Sequence, residues 1–129
     1  MKTLDQLTKI AKTENVIFYK VGCPFCQASE NLFKQLQTNG IIDTFSMYYL
    51  QQDFSDEQLT ELVKQFGWEP VAQYQLNCTK PQIFIKGEYI GGNFELHKSK
   101  WNVGTDNDGK ILVNDQLKDT PMLKNPMRF

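Results

Sequence analysis

The sequence offers little that would tie it to a membrane, to nucleic acid or to a disulfide scaffold. No apolar run approaches the roughly 20 residues that span a bilayer. The opening stretch, MKTLDQLTKIAKTEN, lacks the continuous apolar segment of a signal peptide. Neither sign of charge dominates: 14 basic and 15 acidic residues leave a net charge of −1. That balance gives no electrostatic footprint for nucleic acid or an anionic membrane, so neither is expected as a partner. Histidine occurs once and cysteine three times. Three cysteines cannot all pair within one chain, and they fall far below the density of a secreted disulfide fold. The expectation from these absences is a cytoplasmic protein. What remains is ordinary globular material: 129 residues, 40% hydrophobic and 22% charged, enough for one domain with its own core.

Periodicity along the chain alternates between helix and strand. Residues 3–13 carry Leu4, Leu7, Ile10 and Ala11 at helical intervals, with Thr3 and Gln6 at capping-box spacing. Val16-Ile17-Phe18-Tyr19 is an unalternating β-branched and aromatic run, suited to a strand buried on both faces. Helical spacing returns from Pro24 and stops at Asn39-Gly40. Residues 45–50 read as a second strand. Ser55 and Gln58 then open a helix through Leu59, Leu62, Val63 and Phe66 to Gly67. Residues 68–80 show no clear period and read as a connection. Residues 82–86 form a third strand, Gly87-Glu88 a two-residue turn, and Tyr89-Ile90 a fourth strand. After Gly91-Gly92, Asn93 is placed to cap a short helix running to about Trp101.

Helices alternating with strands, followed by a late hairpin, predict an α/β fold with early parallel pairing and an antiparallel edge. The expected domain covers residues 1–103, and residues 104–129 form a polar C-terminal extension packed on it or extending from it. Within that extension Asp106, Asp108 and Gly109 match part of a calcium loop, but a hairpin turn explains them better.

The chemistry concentrates at Cys23-Pro24-Phe25-Cys26, where a strand meets a helix. Proline at the first helical position puts Cys23 at the cap, where unpaired N–H groups and the positive end of the helix dipole favour a thiolate. Cys26 lies one turn inward, within reach of the sulfur of Cys23. Position therefore assigns the roles: Cys23 attacks a disulfide and Cys26 resolves the mixed disulfide. Lys20 adds a nearby positive charge. The competing chemistry is a zinc site from Cys23, Cys26, Cys78 and His97, whose second half lacks the short ligand spacing of a knuckle. Redox exchange is the better reading, and no metal is expected. Cys78, two residues before Lys80, is expected near the same loop, either as a third redox group or as a small packed residue.

Four motifs in order resemble the glutaredoxin family of dithiol type: Tyr19-Lys20, Cys23-Pro24-Phe25-Cys26, Thr79-Lys80-Pro81-Gln82-Ile83-Phe84-Ile85 and Tyr89-Ile90-Gly91-Gly92. The resemblance spans about residues 15–97 and implies a thioredoxin-like fold, a central mixed four-stranded sheet flanked by helices. It implies a cis peptide bond before Pro81, facing the two cysteines. It also implies a glutathione site. The main chain of Lys80 would pair with the cysteinyl unit, and Gly91-Gly92 would admit the γ-glutamyl end. Asn93 and Phe94 would offer N–H groups to its carboxylate, Lys20 would lie near the glycyl carboxylate, and Phe25 would wall the pocket. The sequence departs from the family at Phe94, where Asp or Thr is common. The stretch between Gly67 and Thr79 is also longer than expected, and the usual final helix is not evident.

The resemblance implies an oxidoreductase that reduces protein disulfides and glutathione mixed disulfides, with glutathione as the reducing co-substrate. It implies a monomer whose clients are disulfide proteins such as ribonucleotide reductase. Two other readings stand beside it. One is a glutaredoxin-like electron donor reduced by thioredoxin reductase; the other is a non-enzymatic iron–sulfur or zinc binding module.

Overall fold

The computed structural model describes residues 1–102. The elements run α1 (Leu4–Thr13), β1 (Val16–Tyr19), α2 (Pro24–Thr38), β2 (Ser46–Tyr49), α3 (Asp56–Lys64), β3 (Gln82–Ile85), β4 (Glu88–Gly91) and α4 (Asn93–Lys98). The expected order of helix and strand is the one observed. The calcium-like stretch and the rest of the C-terminal extension lie outside the described residues.

The four strands form one sheet in the order β2-β1-β3-β4. β1 pairs with β2 in parallel, Val16 opposite Ser46 and Tyr19 opposite Tyr49. β1 pairs with β3 antiparallel, and β3 with β4 antiparallel through the hairpin. The mixed sheet flanked by helices is the thioredoxin-like arrangement that the resemblance implies. All four residues of β1 and of β3 are buried, as central strands covered on both faces require.

Alternation along β1 divides the core into two layers. Ile17 and Tyr19 join Ile83, Ile85, Phe33, Leu36, Leu96 and Trp101 on the α2–α4 face. Val16 and Phe18 join Phe84, Leu7, Leu59, Leu62 and Val63 on the α1–α3 face. Phe18 meets Phe54 and Phe84 edge-on, with centroids 5.5 and 6.1 Å apart.

Local chemistry sets most boundaries. Thr3 and Ser55 each accept from the N3 backbone while Gln6 and Gln58 reach back to the cap, so both capping boxes form. α2 is capped at its C-terminus by Asn39, and Gly40 follows at φ 74°, a left-handed position natural to glycine.

Several boundaries differ from the sequence reading: β2 is shorter at both ends, as Ser46–Tyr49, and β4 longer, as Glu88–Gly91. α3 ends at Lys64, and turns carry the chain on to Gly67. The hairpin turn is Lys86-Gly87, one residue earlier than expected, with φ of 52° and 82°. Of the two-residue turns that follow the strand twist, the type I′ form has φ > 0 at both positions, as here. Lys86 accepts this geometry, and its N–H donates to Asn15 Oδ1 at 2.9 Å. Asn93 is the first residue of α4 and Gly92 is the cap. The helix stops at Lys98, and Trp101 enters the core from a turn beyond it. Among the described residues no helix is long and apolar enough to cross a membrane.

Candidate active site

β1 delivers the chain to Lys20, a turn through Gly22 at φ 82° reverses it, and α2 begins at Pro24. Cys23 is therefore the N-cap of α2, in extended conformation (φ −94°, ψ 116°). Its carbonyl accepts from the N–H groups of Cys26 and Gln27, each at 3.1 Å. Its side chain makes no cap bond. Cys23 is partly exposed and Cys26 is buried, and neither is in a disulfide here.

The two sulfurs have different surroundings. Burial pushes the Cys26 thiol up from an ordinary 9.0 to about 12. The Lys20 N–H, donating to Cys26 Sγ at 3.5 Å, opposes that rise, and the neighbouring Cys23 adds to it. Cys23 Sγ instead faces the residue-80 loop, 3.8 Å from the Lys80 carbonyl oxygen. The Lys80–Pro81 bond is cis, the isomer the resemblance implies.

Next to Cys23 opens a cleft of about 240 Å³ lined by Phe25, Thr79, Lys80, Pro81, Gly92, Asn93, Phe94 and Glu95. Six of the seven residues expected at a glutathione site are thus brought together on one wall system. Phe25 and Phe94 are 64% and 69% exposed, so they stand at its rim. Lys98 Nζ sits 4.7 Å from the Phe94 ring centroid. The Ser29 hydroxyl donates to Asn93 Oδ1 at 2.8 Å, which ties α4 to α2.

Lys20, the seventh, is exposed and does not line the cleft; its main chain is what reaches the site, through Cys26. The Lys80 side chain also turns away and pairs with Asp56 on α3. Glu95 and Thr79 are the lining residues that the sequence reading did not assign. Thr79 could have been found from its place in the Thr-Lys-Pro motif. Glu95 carried no signal, because its approach to Gly91 depends on the turn into α4. Gly91 has φ 110°, a left-handed position that favours glycine, and a Cβ built there would lie 3.1 Å from Glu95 Oε1, so any side chain would have to displace Glu95.

Cys78 packs in the α1–α3 layer, on the other side of the sheet from Cys26. Its N–H donates to Thr60 Oγ1 at 3.0 Å, and burial raises its thiol pKa. The zinc set of Cys23, Cys26, Cys78 and His97 does not assemble: the sheet divides its cysteines, and His97 is exposed on α4 with Nδ1 at 2.9 Å from Asn93 O. Among the described residues no group of three or more His, Cys, Asp or Glu side chains is placed to hold a metal ion.

No protein-family model matches the chain. Curated relatives do. Glutaredoxin-1 of Rhizophagus irregularis is 30% identical over 100 residues, covering 76% of this chain and 85% of that protein. Glutaredoxin 1 of Escherichia coli is 34% identical over 80 residues, 61% of this chain and 82% of that protein. Mitochondrial glutaredoxin-2 of Bos taurus is 30% identical over 83 residues, but the match spans only 45% of that longer protein. Among solved structures, the dithiolic glutaredoxin 2-C-Grx1 of Trypanosoma brucei brucei superposes with a TM-score of 0.50 at 28% identity, covering 76% of this chain and 86% of the other. The buckwheat glutaredoxin–glutathione complex gives 0.53 at 24% identity, covering 74% and 76%, a likeness of fold.

Proposed function

Because the chain belongs to the glutaredoxin family, we propose that it is a dithiol thiol–disulfide oxidoreductase that draws its electrons from glutathione. The observation that carries this reading is the placement of Cys23: a partly exposed sulfur at a helix cap, facing the Lys80 carbonyl beside a cis proline at the edge of a cleft. On the same fold, the buckwheat glutaredoxin binds glutathione.

The Cys23 thiolate attacks one sulfur of a protein disulfide, forming a Cys23 mixed disulfide and releasing one client thiol. Cys26 then attacks Cys23 Sγ, the second client thiol departs, and a Cys23–Cys26 disulfide remains. The proton leaving Cys26 goes to the departing client thiolate. The N–H of Lys20, already directed at Cys26 Sγ, stabilises the negative sulfur as it forms. Two glutathione molecules restore the dithiol: the first forms a mixed disulfide with Cys23, and the second releases glutathione disulfide. For a client already carrying glutathione, Cys23 alone takes the glutathionyl group.

The glutathione contacts proposed here are the main chain of Lys80 beside Pro81, the backbone of Gly92, Asn93 and Phe94, and the ring of Phe25, with Lys20 near the glycyl end. Clients are protein disulfides, of which ribonucleotide reductase is one candidate class, and the working form is a monomer. Three free cysteines suit a reducing compartment such as the cytoplasm.

The test is a coupled disulfide-reduction assay run in two arms. NADPH consumption is expected with glutathione and glutathione reductase, and not with thioredoxin reductase alone. Turnover confined to the thioredoxin reductase arm transfers the electron source to that enzyme. No turnover in either arm overturns the oxidoreductase reading.

A further inference from the structure

The cleft's inner edge is a stretch of main chain, residues 78–81, that belongs to no helix or strand. It is nevertheless held from two sides. On the sheet side, buried Gln82 donates from Nε2 to the Thr79 carbonyl at 2.8 Å, and Tyr89 donates its hydroxyl proton to Gln82 Oε1 at 2.6 Å. On the helix side, Thr60 Oγ1 accepts from the Cys78 N–H at 3.0 Å and donates to the main-chain carbonyl of Asp56 at 2.8 Å. Thr60 is only 3% exposed, so water does not compete for these bonds. One turn earlier, the Asp56 carboxylate pairs with Lys80 Nζ, which also donates to Cys78 O at 3.3 Å.

Lys80 is thereby used at both ends. Its ammonium group is drawn to α3, its side chain only 14% exposed, while its carbonyl faces Cys23 Sγ at 3.8 Å. A lysine free of Asp56 would direct its charge to water and leave the loop's main chain unanchored at that point. Asp56 and Thr60 stand four residues apart on α3 and so share one face of it.

We propose that Asp56 and Thr60 are positioning residues, which fix residues 78–80 so that the Lys80 main chain is presented to Cys23 and to the cleft. The proposal rests on the glutathione reading above and deepens it, since it names what sets that contact surface. Neither residue touches the substrate; each acts through the loop.

The test uses the full chain. Asp56→Asn keeps the size of the side chain and removes its charge. The expected result is a KM for a glutathionylated peptide raised about fivefold to tenfold, as for loss of one charge-assisted bond, with kcat within about twofold. Asp56→Glu restores the KM towards that of the parent. Lys80→Met removes the same pair from the loop side and has the same effect, so it serves if Asp56→Asn does not fold. The double variant should be no worse than the poorer single one, because both delete a single interaction. Amide chemical shifts supply a readout independent of turnover: in Asp56→Asn those of Cys23 and Gly92, which do not touch Asp56, are expected to move. An unchanged or lowered KM, additive single effects, or shift changes confined to α3 would each overturn the proposal. Absence of turnover in the parent protein defeats the glutathione reading instead, and the amide shifts then decide the positioning role alone.

Discussion

Cys23 and Cys26 share a motif but not an environment. Cys23 is the partly exposed cap of α2, with the Lys80 carbonyl for a neighbour; Cys26 is enclosed by the α2–α4 core, which holds its thiol protonated up to about pH 12. A buried thiol cannot make the first attack on a bulky client, but it needs only to reach the adjacent sulfur to make the second. Cys23→Ser is therefore expected to abolish all exchange activity. Cys26→Ser is expected to lose reduction of protein disulfides by at least tenfold, yet to retain removal of glutathione from a glutathionylated peptide. Equal loss of both activities in the two variants, measured by the coupled assay, contradicts the division of roles. The placement of the pair at a helix start was legible in the sequence, because the Cys-Pro-Phe-Cys spacing and the strand-to-helix junction are local features. Lys20 was legible only in part: its charge is visible in the sequence, but the use of its N–H by Cys26 Sγ depends on how the turn through Gly22 is folded.

At the scale of the element, α3 has two functions, since its apolar face packs the core and its first turns hold the residue-78 loop. Its start is fixed by the reciprocal Ser55–Gln58 capping box, and Gln58 Nε2 also donates to the Lys2 carbonyl at 2.8 Å. Ser55→Ala removes one half of the box and is expected to cost about 1 kcal/mol, read as a lower urea midpoint with unchanged slope. An unchanged midpoint would mean that the Asp56 and Glu57 carboxylates hold the helix start without the cap. Capping boxes were readable because they obey sequence spacing. The hairpin turn was placed one residue late because Lys86 looks like a strand residue. Its left-handed φ of 52° is imposed by the strand register and by Asn15, 71 positions away.

At the scale of the whole molecule, the groups among the described residues whose pKa is displaced are displaced one way. Burial raises the acids Cys26 and Cys78 and the phenols Tyr19, Tyr48 and Tyr89, with Glu30 adding to Tyr19 and Glu14 to Tyr48. Each folded group keeps its proton at a pH where the unfolded chain has lost it. In that window the unfolded state binds fewer protons, so stability falls as pH rises. The contribution is fully present below the unfolded values of 9.0 for the thiols and 10.0 for the phenols. It is lost as pH climbs from about 9 through the folded value of about 12 for Cys26. Thermal melts of the reduced protein at constant ionic strength should show Tm falling steadily above about pH 9. A flat Tm from pH 9 to 11 would show that these side chains are wetter than the packed structure implies.

The sequence by itself determined the helices and strands, the cysteine pair at a helix start and the mixed α/β class, because each of these follows from periodicity, capping and turn chemistry within a few residues. Only the tertiary structure decided which distant residues meet. It set Lys80 against Cys23, 57 positions apart; it turned the Lys80 ammonium to Asp56; it brought Glu95 into the cleft; and it sent Cys78 to the opposite layer. The reason is geometric: a strand fixes the face of each residue by parity, but which helix covers that face depends on the order and direction in which the strands pair.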